Sequence, residues 1–240
     1  MGGRMSGFPR PILAVHQPNF APWIGYFMKV AMADRFVLLD DVQFPKASWV
    51  NRTHVLGPGG KEYLTVPVRH PGLSPIRDVL IADLAWAKKH ARKFEAHYHG
   101  APGLETAIEV LGDGGGEERL SAANEELIRR ACRALDIATP LTRSSSLCLA
   151  TSGPTERHIA LCRRIGARTY LSGQGAAFYN DPVRFEEAGI TLAYFSFEHP
   201  LYDQGREPFI PGLSVLDFLA RTGPDAKRRF ATAHAESSLR

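Results

Sequence analysis

A chain of 240 residues is long enough to bury a substantial core, as one large α/β domain or as a domain with an insertion. Its hydrophobic fraction of 44% and charged fraction of 22% exclude a disordered or fibrous chain. The 29 basic and 25 acidic residues leave a net charge of +4, too small and too interspersed to point to nucleic acid, with one dense basic cluster at Lys227-Arg228-Arg229.

The first predicted element is the buried strand Ile12-Leu13-Ala14-Val15, apolar on both faces as strands of parallel sheets are. Residues 1–11 before it lack the apolar core of a signal peptide and are expected to be disordered. Pro22 suits a first helical turn, and Ile24, Phe27, Met28 and Ala31 follow at close to helical spacing, which predicts a helix over 23–32. Phe36-Val37-Leu38-Leu39 is a second buried strand ending on Asp40-Asp41. Strand, polar loop, helix and strand make a βαβ unit with two parallel strands.

The Gly57-Pro58-Gly59-Gly60 run is a strong turn signal between residues 51–56 and the β-rich 61–68, so a hairpin is expected there. The pattern turns helical from Asp83 to His99. After a glycine-rich break at 112–116 it is helical again from Ser121 to Leu135. A second α/β portion follows: a strand over 141–145, a helix over 154–165, strands over 169–172 and 190–195, and a short helix around Asp217-Phe218-Leu219. The expected fold is α/β, a mostly parallel sheet flanked by helices with a β-hairpin inserted after the second strand. One domain should span 12–223, and residues 224–240 read as a polar tail that frays.

Three cysteines, Cys132, Cys148 and Cys162, form no CxxC pair and no zinc spacing, which fits a reducing compartment. Cys132 and Cys162 fall in predicted helices and read as small buried residues. No segment approaches the roughly 20 apolar residues of a membrane span. The expected address is the cytoplasm.

In an open parallel sheet, ligands bind beyond the carboxyl ends of the strands. Three loops hold that position: His16-Gln17-Pro18-Asn19, Asp40-Asp41-Val42-Gln43 and Ser172-Gly173-Gln174-Gly175. His16 stands where a strand hands over to a helix and can donate to an anion or act as a general base. Gln17 and Asn19 flank it with amides that need partners. Of Asp40 and Asp41, one member enters the site, because adjacent strand residues face opposite ways; Asp41 is favoured, to orient His16 or hold a cation. Lys46, Trp49, Asn51 and Arg52 offer ion pairing, stacking and amide hydrogen bonds for an anionic, planar or sugar ligand. Ser172 and Gly173 allow close approach to a ligand, with Tyr179 nearby to close the pocket and His199 and Gln204 in a further polar cluster. His90, His97 and His99 lack the HExxH arrangement and read as a surface helix rather than a metal site.

Taken together, these stretches resemble the WbqC-like family: His16-Gln17-Pro18-Asn19-Phe20 with Pro22-Trp23-Ile24-Gly25-Tyr26-Phe27, then residues 36–44, 48–52, 170–173 and 209–217 in order. The resemblance runs from about Ile12 to Gly223. It implies a bacterial protein of surface-polysaccharide (O-antigen-like) biosynthesis that transfers an aminoacyl group such as glycyl, or an acyl group, onto an amine such as that of an amino sugar. The small-molecule substrate it implies is a nucleotide-linked amino sugar or an amino acid donor. In that reading His16 is the base, Asp41 orients it, and Gln17, Asn19, Tyr26, Asn51 and Arg52 help to hold substrate. Two alternatives stay open. A histidine at a helix entrance in a βαβ unit is similar to HIGH-type nucleotidyltransferases and adenylate-forming ligases, which use ATP with magnesium, although no HIGH tetrad is present. A non-catalytic binding module of the same pathway is the other.

Overall fold

A computed structural model describes residues 7–46, 48–70, 72–114, 116–149 and 153–239, with the side chains of 176–178 left aside. In chain order the elements are β1 (Ile12–His16), α1 (Ile24–Ala31), β2 (Arg35–Leu38), β3 (Arg52–Gly57), β4 (Gly60–Thr65), β5 (Val68–Arg69), β6 (Leu80–Ile81), α2 (Trp86–His97), α3 (Leu104–Leu111) and α4 (Leu120–Ala134). Then follow β7 (Leu141–Arg143), α5 (Pro154–Ile165), β8 (Thr169–Gly173), α6 (Pro182–Glu187), β9 (Thr191–Ser196), α7 (Val215–Thr222), α8 (Ala226–Glu236) and β10 (Ser238–Leu239).

Six strands form the main sheet in the order β10-β9-β8-β1-β2-β7. Every neighbouring pair is parallel except β9 with β10. The expected α/β fold with a mostly parallel sheet is therefore present, and the hairpin after β2 is the antiparallel pair β3–β4. The first βαβ unit is equally plain, with Leu13 to His16 of β1 registered against Arg35 to Leu38 of β2.

Strand alternation divides the core between the two faces. Ile12, Ala14, Phe36 and Leu38 pack with the buried face of α1 and with α2, α3, α4, α7 and α8. Leu13, Val15, Val37 and Tyr170 pack with Ile159, Leu161 and Cys162 of α5 and Phe185 of α6. Both faces are covered, which is why Ile12 to Val15 of β1 and Phe36 to Leu38 of β2 are continuously apolar. Burial pushes the Cys132 and Cys162 thiols up to about 12, as suits inert packing residues.

Counted within this sheet alone, the six strands lie in the doubly wound order 3-2-1-4-5-6. The sheet grows from β1 to β2 and β7 on one side, then to β8 and β9 on the other. The reversal lies between β1 and β8, and there the strands part. Their pairing ends at Ala14 with Leu171, whereas β1 continues beside β2 to His16, and β8 beside β9 to Gly173.

Some elements differ from expectation. The segment after Thr222, expected as a fraying polar tail, forms α8 and then β10, which closes the sheet edge against Phe195 and Ser196. Its composition is polar, but Ala226, Phe230 and Ala233 fall on one buried face of the helix. Helices α3 and α6 lie outside the helices expected from the pattern; each is short and adjoins glycine or proline. Of the first eleven residues, 1–6 lie outside the described residues, while the Pro9 carbonyl accepts from the Thr169 hydroxyl and Arg10 pairs with Asp34. Gly115, within the expected glycine-rich break, also lies outside them. His90 does not merely face solvent, because its ring packs against Phe20 and Trp86. Among the described residues no three His, Cys, Asp or Glu side chains gather so as to hold a metal ion, and no helix is long and apolar enough to cross a membrane.

Candidate functional site

The loop from β1 to α1 is pinned at several points. The Phe20 N–H donates to the Trp49 carbonyl at 2.9 Å, and the Asn124 side-chain amide donates to Pro18 and Val50 carbonyls at 2.8 and 2.7 Å. Thr53 and Ser214 hydroxyls both donate to the Ala21 carbonyl at 2.8 Å. Ala21 itself sits at φ 38°, a left-handed conformation unfavourable for a residue with a side chain and sustained here by those contacts. The loop is thus locked to the hairpin, to α4 and to the start of α7.

Between loop and hairpin lies a pocket of about 400 Å³, lined by His16, Asn19, Trp23, Trp49, Arg52 and Lys61, together with Phe20, Thr53, His54 and Gly212. Two tryptophans stand partly exposed at it, Trp23 at 41% and Trp49 at 49%. Trp23 stacks on His199 at 6.1 Å and packs against Phe197 at 5.3 Å. Trp49 meets His54 edge-on at 5.1 Å, His54 packs on Tyr63 at 4.2 Å, and the Arg52 guanidinium lies over Tyr63 at 4.5 Å. Aromatic walls with cationic side chains suit a planar or sugar ligand that carries negative charge.

His16 ends β1 on the rim of this pocket. Its Nδ1 is 3.2 Å from the Gln17 carbonyl, so that nitrogen carries the proton and Nε2 is left as the acceptor. Burial, with the Lys29 charge nearby, pulls its pKa down to about 4, and the imidazole is neutral at pH 7. Tyr26 lies edge-on to the ring at 5.0 Å and donates to the same Gln17 carbonyl at 3.3 Å. Tyr26 and Gln17 therefore shape the turn around His16.

The aspartates are held differently from expectation. Asp40, 2% exposed, accepts from the Ser144 and Ser145 hydroxyls and the Ser145 N–H at 3.1, 2.7 and 2.9 Å, which ties the end of β2 to the turn after β7. Asp41 accepts from the Ser144 hydroxyl at 2.7 Å and pairs with Arg157 at 2.9 Å. Its partner is Arg157 of α5 and not His16.

Other expected residues support the site from outside the pocket. Asn51 donates to the Val66 carbonyl at 3.1 Å within the hairpin base. Gln204 donates to the Ile210 carbonyl at 2.9 Å and accepts its N–H at 2.8 Å, fixing the loop that carries Gly212. His199 accepts the Gly212 N–H at 3.3 Å and backs Trp23. Ser172 is buried and accepts from the Asn180 amide at 2.8 Å, next to Gly173 at the end of β8. Gln43 and Lys46 are exposed, as is Tyr179 at 66%. Ala47, between Lys46 and Trp49, lies outside the described residues.

Several further residues stand at or near the site, beyond those the sequence pattern singles out. His54 and Lys61 could have been found from strand alternation, which puts Arg52 and His54 on one face and pairs them with Thr65 and Tyr63. Lys29, 6% exposed, donates to the Val15 carbonyl at 2.9 Å. His158 of α5 stacks on Tyr170 at 4.6 Å with Nδ1 3.3 Å from the Asn180 Oδ1. A lysine and an asparagine on amphipathic helices carry no local mark of burial, so Lys29 and Asn124 needed the fold.

Comparison with known proteins supplies the frame for this geometry. The profile of the WbqC-like protein family matches residues 17–229. An uncharacterized protein, Rv1507c, of Mycobacterium tuberculosis is 36% identical over 220 residues, covering 89% of this chain and 95% of its own length. No solved structure matches the chain.

Proposed function

The chain belongs to the WbqC-like protein family, and from that premise we propose that it is a small-molecule transferase of surface-polysaccharide or related biosynthesis, moving a glycyl or other acyl group onto an amine such as that of an amino sugar. The observation that carries the reading is the pocket in which His16 stands with two partly exposed tryptophans, Arg52 and Lys61. The indoles stack on a sugar or base, and the two cations pair with the phosphates of a nucleotide-linked sugar. Its amine nitrogen attacks the acyl carbon. A C–N bond forms, the bond from that carbon to the donor's leaving group breaks with its electron pair, and His16 Nε2 takes the proton lost by the amine. Neutral His16 is in the state to accept, and substrate phosphates beside it raise its basicity. Asp41 holds Arg157 at the strand ends, and Asn19 lines the pocket beside His16.

A thermal-shift and turnover panel with nucleotide-linked amino sugars, glycine, acyl-CoA and ATP with magnesium tests this. A nucleotide-linked amino sugar at about 100 times its Kd adds about 2.7 kcal/mol of stability. His16→Ala should bind it within about threefold of wild type and lose about 100-fold or more in turnover. Full turnover in His16→Ala, or no response to any nucleotide-linked sugar, overturns the reading. A second reading, adenylation of the acyl donor by ATP, is favoured by the position of His16 beside the reversal point of a doubly wound sheet, where nucleotides bind in such folds. It requires that turnover consume ATP and release pyrophosphate.

A further inference from the structure

We propose that the gap between the ends of β1 and β8 is a subsite for a small oxyanion, a carboxylate or a phosphate, with the Lys29 ammonium as its counter-charge. Where β1 and β8 part beyond Ala14 and Leu171, each strand still follows its other neighbour, so the gap belongs to the sheet and is not a frayed end. Ile12 and His16 carbonyls accept from the Asp34 and Leu39 N–H groups on the β2 side. Two-residue alternation then turns the Val15 carbonyl toward β8, and Lys29 Nζ, not a β8 amide, bonds it there at 2.9 Å.

Lys29 reaches this position from α1 and is 6% exposed, yet among the described residues no carboxylate pairs with it. Its hydrogen-bond partner among the described residues is one neutral carbonyl, which leaves two N–H bonds of the ammonium to be matched. Among the described residues no carboxylate acts on the Lys29 charge. His16 ends β1, and His158 of α5 bonds Asn180 beyond the end of β8; the Lys29 charge acts on both. Ser172 and Asn180 are neutral and bonded to each other, and the Arg157 of α5 is matched by Asp41. A buried cation without a counter-charge is costly, and an oxyanion relieves that cost while using the spare donors. The end of β8 is open at the mouth of the gap, where a side chain added at Gly173 would meet nothing within 4 Å.

The subsite lies apart from the tryptophan-lined pocket and meets it at His16. The assignment rests on the transfer reading only in giving the oxyanion to the acyl donor.

The test titrates the full-length protein with inorganic phosphate and, separately, with acetate and glycine, against chloride at matched ionic strength, by calorimetry and thermal shift. Phosphate or a carboxylate should bind wild type at about pH 7, and Lys29→Met should weaken that binding at least about tenfold. Raising the pH to about 9.5, where the amine is neutral, should weaken it similarly, although phosphate then carries more charge. This pH arm decides the matter if Lys29→Met does not fold. Arg52→Met should keep the oxyanion within about twofold while losing the nucleotide-linked sugar, so the two readings fail separately. Lys227→Met with Arg228→Met should change nothing. Equal binding by Lys29→Met and wild type, binding that survives at high pH, or no oxyanion binding by wild type overturns the proposal.

Discussion

The side-chain amide nitrogen of Asn124, on α4, sits 2.8 Å from the Pro18 carbonyl and also reaches the Val50 carbonyl at 2.7 Å. One buried amide thereby joins the loop after His16 to the segment after Trp49, the two sides of the candidate pocket. Asn124→Ala leaves both carbonyls without a donor in a site that is 1% exposed, and should destabilise by about 2–4 kcal/mol in chemical denaturation. Asn124→Asp keeps the shape but turns a carboxylate toward two carbonyls, and should be at least as damaging at neutral pH. A loss below about 0.5 kcal/mol for both would mean that the amide does not hold the loops.

Gly25, in the first turn of α1, is demanded by packing. A Cβ there would lie 2.5 Å from the Trp23 ring and 2.8 Å from Phe197. Trp23 is partly exposed and can swing outward, so Gly25→Ala displaces a wall of the pocket. Its stability should stay within about 1 kcal/mol of wild type, since alanine favours the helix by about that amount. Affinity for the pocket's ligand should fall about tenfold, the size of effect expected when one stacking face is lost. Unchanged affinity with Trp23 fluorescence unchanged would refute the packing argument.

The sequence revealed what local pattern encodes. β1 and β2 were legible because strands covered on both faces are continuously apolar, and the hairpin because Gly57 to Gly60 can only turn. His16 and Asn19 were legible because loops at strand ends carry polar residues that need partners, and Trp49 and Arg52 because a cation close to an aromatic ring suits an anionic, planar or sugar ligand; all four line the candidate pocket. Asp40 looked like a site residue for the same reason, but its oxygens are occupied by Ser144 and Ser145, more than 100 positions away. Which side of β1 receives β8, and so where Lys29 is buried, depends on strand order, and no short window contains it.

The helix after Thr222 gives a test of the element that sequence composition concealed. Phe230 is 4% exposed and lies with Ala226 and Ala233 on the face of α8 that enters the main core. Phe230→Ala should therefore destabilise the whole protein by about 3 kcal/mol, read as a lower urea midpoint at unchanged slope. A solvated tail would change by less than about 0.5 kcal/mol.

Lys29 makes stability depend on pH in a direction opposite to that of a surface lysine pair. Burial lowers its folded-state pKa from 10.5 to about 8. Below about pH 8 the amine is charged in both folded and unfolded chains, and the full cost of burying the charge is present. Between about 8 and 10.5 the unfolded chain holds the proton and the folded one does not, so stability rises with pH; above 10.5 both are neutral and the cost is gone. The shift corresponds to about 3 kcal/mol, and losing the bond to the Val15 carbonyl costs about 1 kcal/mol. Lys29→Met should thus be more stable than wild type by about 2 kcal/mol near neutrality, with the advantage shrinking through that window and reversing slightly above it. Urea melts of both proteins at several pH values from about 7 to 11 measure the difference directly. A gap that stays constant with pH would show that the native amine titrates like the unfolded one, and that the charge on Lys29 is already compensated.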